Sequence, residues 1–215
     1  MEAEVIKLYN QILCKMDEER NGLVQIYTGD GKGKTTASLG LALRSLGHNM
    51  SVYMIQFMKG GDTGEMFAIQ KYLPNFHLVQ FGKDALQEKQ LKIVSFDAKE
   101  KKQNFLTDEE RYVFFSDKVE TDPSKIGFEH AERIVNSGKY DVVILDELNC
   151  VLGRDMIPIE DALKLIKNKP NHVELIITGR DAPKEIKDAA NLVSEIKGVK
   201  HPYDSGILAR KGIEY

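Results

Sequence analysis

Residues 23–36 read Leu-Val-Gln-Ile-Tyr-Thr-Gly-Asp-Gly-Lys-Gly-Lys-Thr-Thr, and this stretch decides the fold. An apolar run suited to a buried strand gives way to a glycine-rich loop, and the loop opens a helix. Successive backbone N–H groups of such a loop converge with the helix N-terminus on an anion. The spacing therefore points to a phosphate cradle for a nucleotide, formed by Gly29, Asp30, Gly31, Lys32, Gly33, Lys34, Thr35 and Thr36. Lys34 supplies a point charge to the phosphates, and the Thr35 hydroxyl a ligand to Mg²⁺ or Mn²⁺. The usual phosphate-loop spacing puts its first glycine at position 28; here Thr28 stands there and the glycine arrives one residue later.

Outward from the loop, apolar strands alternate with amphipathic helices. Lys34–Leu46 reads as a helix with Leu39, Ala42, Leu43 and Leu46 inward and Gly47 at its C-terminus. Strands are expected at 52–57, 76–81, 140–145, 173–178 and 192–196, and helices at 65–72, 158–167 and 182–190. A further helix opens at Asp122-Pro123, with Asp122 as its cap, and stops at Gly138. The tail, GILARKGIEY, is expected to add an edge strand. This alternation predicts an α/β protein, a mostly parallel sheet flanked by helices. Taken with the phosphate loop, the expected fold is the three-layer architecture of a P-loop NTPase of the RecA-like kind. Residues 1–20 place Val5, Tyr9, Ile12, Leu13 and Met16 on one helical face, an amphipathic helix ahead of a single domain from 21 to 215. The stretch 82–121 is a divergent excursion, charged yet carrying Phe96, Phe105, Tyr112, Phe114 and Phe115.

Two further strand ends aim at the same rim. The run Val-Val-Ile-Leu-Asp-Glu (142–147) delivers Asp146 and Glu147 to the carboxyl edge of the sheet, where either carboxylate suits the cation. Leu-Ile-Ile-Thr-Gly-Arg (175–180) brings Thr178, Gly179 and Arg180 there, and Arg180 complements triphosphate charge. His48, His77, His130 and His172 lack metal-like spacing and read as surface or turn residues. Cys14 and Cys150 form no CxxC motif and read as reduced thiols. A net charge of −3 gives no global basic field for nucleic acid, and no apolar run is long enough for a membrane helix. A cytoplasmic location is the expectation.

Read in order, TGDGKGKTTASLG, QFMKGG…TGE (56–65), ILDELN, TGR and the tail KHPYDSGILARKGIEY resemble the ATP:corrinoid adenosyltransferases. The displaced glycine of the phosphate loop is the form that family uses. The resemblance implies transfer of the 5′-deoxyadenosyl group of ATP to the cobalt of a reduced corrinoid, with triphosphate released. It implies a homodimer, a flavoprotein reductase as partner, and catalytic charge from Lys34 and Arg180. It also implies a reversed nucleotide, with the ribose C5′ turned toward the corrinoid. Family members carry a tryptophan-containing element after the third strand, and this chain has no tryptophan. Phe96, Phe105, Phe114 and Phe115 are the aromatic candidates for that place. Two other readings of the phosphate loop stay open: a kinase acting on a small acceptor, which yields ADP, and a non-catalytic nucleotide-binding module.

Overall fold

A computed structural model describes residues 21–60, 63–82 and 122–215. The leading segment 1–20 and most of the excursion, 83–121, lie outside the described residues. The elements run β1 (Val24–Thr28), α1 (Lys34–Leu46), β2 (Val52–Phe57), α2 (Gly64–Tyr72), β3 (Phe76–Phe81) and α3 (Pro123–Ser137). They continue through β4 (Val142–Asp146), α4 (Leu148–Leu152), α5 (Ile159–Asn168), β5 (Glu174–Thr178), α6 (Lys184–Asp188) and β6 (Leu192–Glu195).

The six strands form one sheet in the order β3-β2-β4-β5-β1-β6, and every pairing is parallel. Side chains alternate between faces along each strand, so each face has its own apolar layer. Val143, Leu145, Leu175 and Ile177 join Phe128, Ala131, Ile134, Leu165 and Ile186 from α3, α5 and α6. On the opposite face Val142, Ile144, Met54 and Ile176 meet Ala42, Met66 and Ile69 from α1 and α2. Helices thus cover both sides of a sheet whose central strands are buried throughout. This is the expected three-layer α/β architecture.

Local chemistry explains the helix ends. Asp122 accepts from the Ser124 N–H, Pro123 fills the first turn, and Gly138 closes α3 in the left-handed region with φ 64°.

Several expectations need correction. Leu43 is 61% exposed, because α1 turns Lys34, Ser38, Ala42 and Ser45 toward the sheet. Small side chains on that face let the helix sit close to the strands. Gly47 does end α1, but in right-handed backbone with φ −62°. The tail adds no strand; it forms a short 3-10 turn at Pro202–Ser205 and then closes on itself, with Gly212 N–H donating to the Tyr215 carbonyl at 2.7 Å. The helix α4, directly after β4, has no amphipathic period long enough to read in advance. His130 is not a surface residue: it lies on the buried face of α3, its Nε2 2.7 Å from the Tyr53 hydroxyl. No helix among the described residues is long and apolar enough to cross a membrane.

Candidate active site at the phosphate loop

The loop leaves β1 through Gly29, whose φ of 101° falls in the region L side chains avoid. Nor is there room for one: a Cβ there would lie 2.3 Å from the Ile196 carbonyl oxygen. Gly33, with φ 122°, then turns the chain into α1. The N–H groups at the start of α1 have no partners within the helix, and the helix dipole adds partial positive charge at the same point. Lys34 is buried, and its ammonium donates to the Gly29 and Gly31 carbonyls at 2.7 and 2.8 Å. Burial lowers its pKa, opposed by the nearby Glu147 carboxylate and reinforced by the Arg180 charge. Thr36 is exposed at the same helix start.

Asp146, at the end of β4, is fully buried. Its Oδ1 accepts from Thr35 Oγ1 at 2.9 Å and from Thr178 Oγ1 at 2.6 Å. Its Oδ2 accepts from Lys59 Nζ at 2.7 Å and Gln56 Nε2 at 3.2 Å. Lys59 Nζ also donates to Thr35 Oγ1 at 2.7 Å. Gln56 is held from its other side by Gln80 Nε2 at 2.9 Å. A polar row therefore crosses the sheet one level above the apolar row of Ile55, Leu145 and Ile177, as the strand register requires.

Glu147 follows in left-handed backbone, φ 65°, with its N–H on Thr178 Oγ1 at 3.1 Å. Its carboxylate accepts from the Cys150 thiol at 2.9 Å. Burial, then this carboxylate, pushes the thiol pKa up to about 11. Arg180 is exposed at the rim, its N–H donating to Cys150 Sγ at 3.2 Å. Asp30 accepts from the Gly198 N–H at 3.1 Å, and that bond, with the charges of Arg180 and Lys34, lowers its pKa.

The geometry thus brings together Lys34, Thr35, Asp146, Glu147 and Arg180, all picked out in the sequence. Lys59 and Gln56 complete the cluster without having been assigned a role there. An amide inside the wholly buried strand Val-Tyr-Met-Ile-Gln-Phe is the signal that was available, since a buried amide must find partners. Phe96, Phe105, Phe114 and Phe115 lie outside the described residues, as do Gly61, which ends the QFMKGG run, and Asp62 after it.

Residues 20–215 match the family described as ATP:corrinoid adenosyltransferase BtuR/CobO/CobP. The chain belongs to that family. The corrinoid adenosyltransferase CobA of Salmonella typhimurium is 30% identical over 199 residues, spanning 92% of this chain and 88% of its own. The corrinoid adenosyltransferase of Sinorhizobium is 31% identical over 204 residues, spanning 94% of this chain and 83% of its own. That of Escherichia coli is 29% identical over 199 residues. The protein is accordingly an enzyme of the adenosyltransferase family.

The segments that carry the family likeness converge on this rim. Gln56 Nε2 reaches Glu65 of the TGE element at 3.4 Å as well as Asp146. The tail follows a segment that lies against the loop just after β6, where Gly31 N–H donates to the Ile196 carbonyl at 2.8 Å. It returns to pair Glu214 with Lys32 at 3.2 Å and ends beside Gly64, 3.9 Å from a Cβ built there. Arg210 donates to both Glu214 oxygens, and these bonds lower the carboxyl's pKa to about 2.

Proposed function

We propose that this family member transfers the 5′-deoxyadenosyl group of ATP to the cobalt of a reduced corrinoid and releases inorganic triphosphate. The observation that carries the reading is the ring of cationic groups around one phosphate cradle: Lys34, Lys59, Arg180 and the α1 N-terminus. In this reaction a cobalt(I) electron pair forms the Co–C5′ bond. The C5′–O5′ bond breaks, and its electron pair departs on the triphosphate. No proton has to be removed, so the protein's contribution is orientation and neutralisation of the leaving group. A kinase would instead need a base for its acceptor hydroxyl.

The Thr35 hydroxyl and Asp146 carboxylate are hard oxygen donors of the kind Mg²⁺ takes. The Lys59 ammonium, 2.7 Å from each, marks the place as one that favours a cation. We assign Thr35 and Asp146 to hold Mg²⁺, with Glu147 beside them as a second carboxylate. When bound, the ion supplies charge to the triphosphate. Lys34 then exchanges its loop carbonyls for phosphate oxygens, and Arg180 closes the rim. The same proposal gives the corrinoid side to Phe96, Phe105, Phe114 and Phe115, and includes a homodimer in the cytoplasm served by a flavoprotein reductase.

The test is incubation with ATP, Mg²⁺ and chemically reduced corrinoid, followed by phosphorus NMR. Intact triphosphate and an adenosylated corrinoid are expected. ADP with a phosphorylated acceptor would favour the kinase, and ATP binding without turnover the binding module.

A further inference from the structure

A carboxylate as deeply buried as Asp146 needs a counter-charge, and Lys59 provides it at 2.7 Å. Its placement is built into the backbone. Met58 turns through the left-handed region, φ 55°, while its N–H stays on the Phe81 carbonyl at 2.9 Å. The chain therefore folds back over the sheet edge immediately after β2. Lys59 then passes so close to Gly82 that a Cβ on that glycine would lie 2.6 Å from the Lys59 carbonyl oxygen. The result is an ammonium lodged between Thr35 Oγ1 and Asp146 Oδ2, the two oxygens that the proposed function gives to the metal. An ammonium and a divalent cation compete for the same lone pairs and repel one another at such separations. Asp146 has no solvent exposure, whereas the Lys59 side chain is 28% exposed. The lysine is thus the partner that can leave without opening the core.

We propose that Lys59 is an exchangeable internal cation. In the nucleotide-free enzyme it neutralises the Thr35–Asp146 pair and keeps divalent metal from occupying that pair alone. When nucleotide arrives with its metal, the metal takes the two oxygens and Lys59 moves onto the triphosphate. This rests on the metal-triphosphate reading of the site, and deepens it by giving a binding order and a further phosphate-binding residue.

The test uses the full chain and needs no corrinoid. Mn²⁺ is titrated, by electron paramagnetic resonance, into nucleotide-free wild type, Lys59→Met and the double variant Lys59→Met/Asp146→Asn. Binding of tripolyphosphate with Mg²⁺ is followed by calorimetry. Lys59→Met should bind Mn²⁺ about tenfold more tightly than wild type, and the double variant should lose that gain. Tripolyphosphate affinity should fall about tenfold in Lys59→Met. Unchanged Mn²⁺ affinity in Lys59→Met, a gain that survives in the double variant, or unchanged tripolyphosphate affinity would overturn the proposal. Should Lys59→Met not fold, Asp146→Asn decides: releasing Lys59 should strengthen metal-free tripolyphosphate binding, and no change would overturn it. Failure of wild type to adenosylate a corrinoid would sink the proposed function while leaving these readouts interpretable.

Discussion

Thr35 Oγ1 stands 2.9 Å from Asp146 Oδ1, although 111 positions separate the two residues. The hydroxyl comes from the first turn of α1 and the carboxylate from the last position of β4. They meet because only β5 lies between β4 and β1, and Thr178 at the end of β5 donates to the same carboxylate oxygen. The pair joins the phosphate cradle to the middle of the sheet, and the first prediction rests on it.

Asp146→Asn keeps the shape but removes the charge that faces Thr35 and Lys59. Hydrogen bonds to charged groups contribute roughly 1.5–3 kcal/mol, so turnover should fall about 10- to 100-fold. Initial rates across a Mg²⁺ titration check this, with Glu147→Gln measured alongside. An unaltered Mg²⁺ dependence in Asp146→Asn would transfer the metal role to Glu147.

Lys34→Ala deletes the ammonium that the Gly29 and Gly31 carbonyls share. The loop amides cannot replace a charge-assisted contact to phosphate, so MgATP affinity should drop by roughly 10- to 100-fold. Calorimetry gives the value directly. Wild-type affinity would remove the loop from the nucleotide site.

Gly127→Ala is a packing test away from the loop. A Cβ on this α3 residue would lie 2.9 Å from Phe81 Cγ and 3.0 Å from Phe57 Cε1. Both rings are fully buried and cannot yield freely. Overpacking costs about 1–3 kcal/mol, which for a chain of this size lowers Tm by about 5 °C. Thermal denaturation followed by circular dichroism should show the shift, and an unchanged Tm would mean that α3 can move off the sheet.

Cys150 should be a poor nucleophile at neutral pH. Burial and the Glu147 carboxylate push its pKa to about 11, above the value of the free thiol. The neutral thiol is the form the fold favours. Its contribution to stability is therefore whole below the pH at which the unfolded thiol ionises, and is lost as pH rises through about 11. In a Cys14→Ser background, iodoacetamide labelling should rise with a midpoint near 11, and Glu147→Gln should bring the midpoint down. A midpoint near 8.5 in the Cys14→Ser protein with Glu147 intact would contradict both the burial of the thiol and its contact with Glu147.

Much of this protein is determined locally. The loop Gly29–Thr36, the helix it opens and the cap at Asp122 follow from residue type and short-range spacing, because backbone geometry and first-turn hydrogen bonds are settled within a few residues. The apolar runs at 52–57 and 76–81 declare strands for the same reason, and the ordered family segments declare the family. Tertiary structure decided what depends on distant partners. The order β3-β2-β4-β5-β1-β6 brings Thr35 to Asp146, and no local spacing encodes which strand lies beside which. Lys59 reached the carboxylate only because Gly82, on another strand's exit, leaves its backbone room. Leu43 turned outward because α1 presents small side chains to the sheet. The tail gave up an edge strand for the Lys32–Glu214 pair and a turn at Gly212. Periodicity reports which face of an element is apolar; which neighbour covers that face is a free-energy choice of the whole chain.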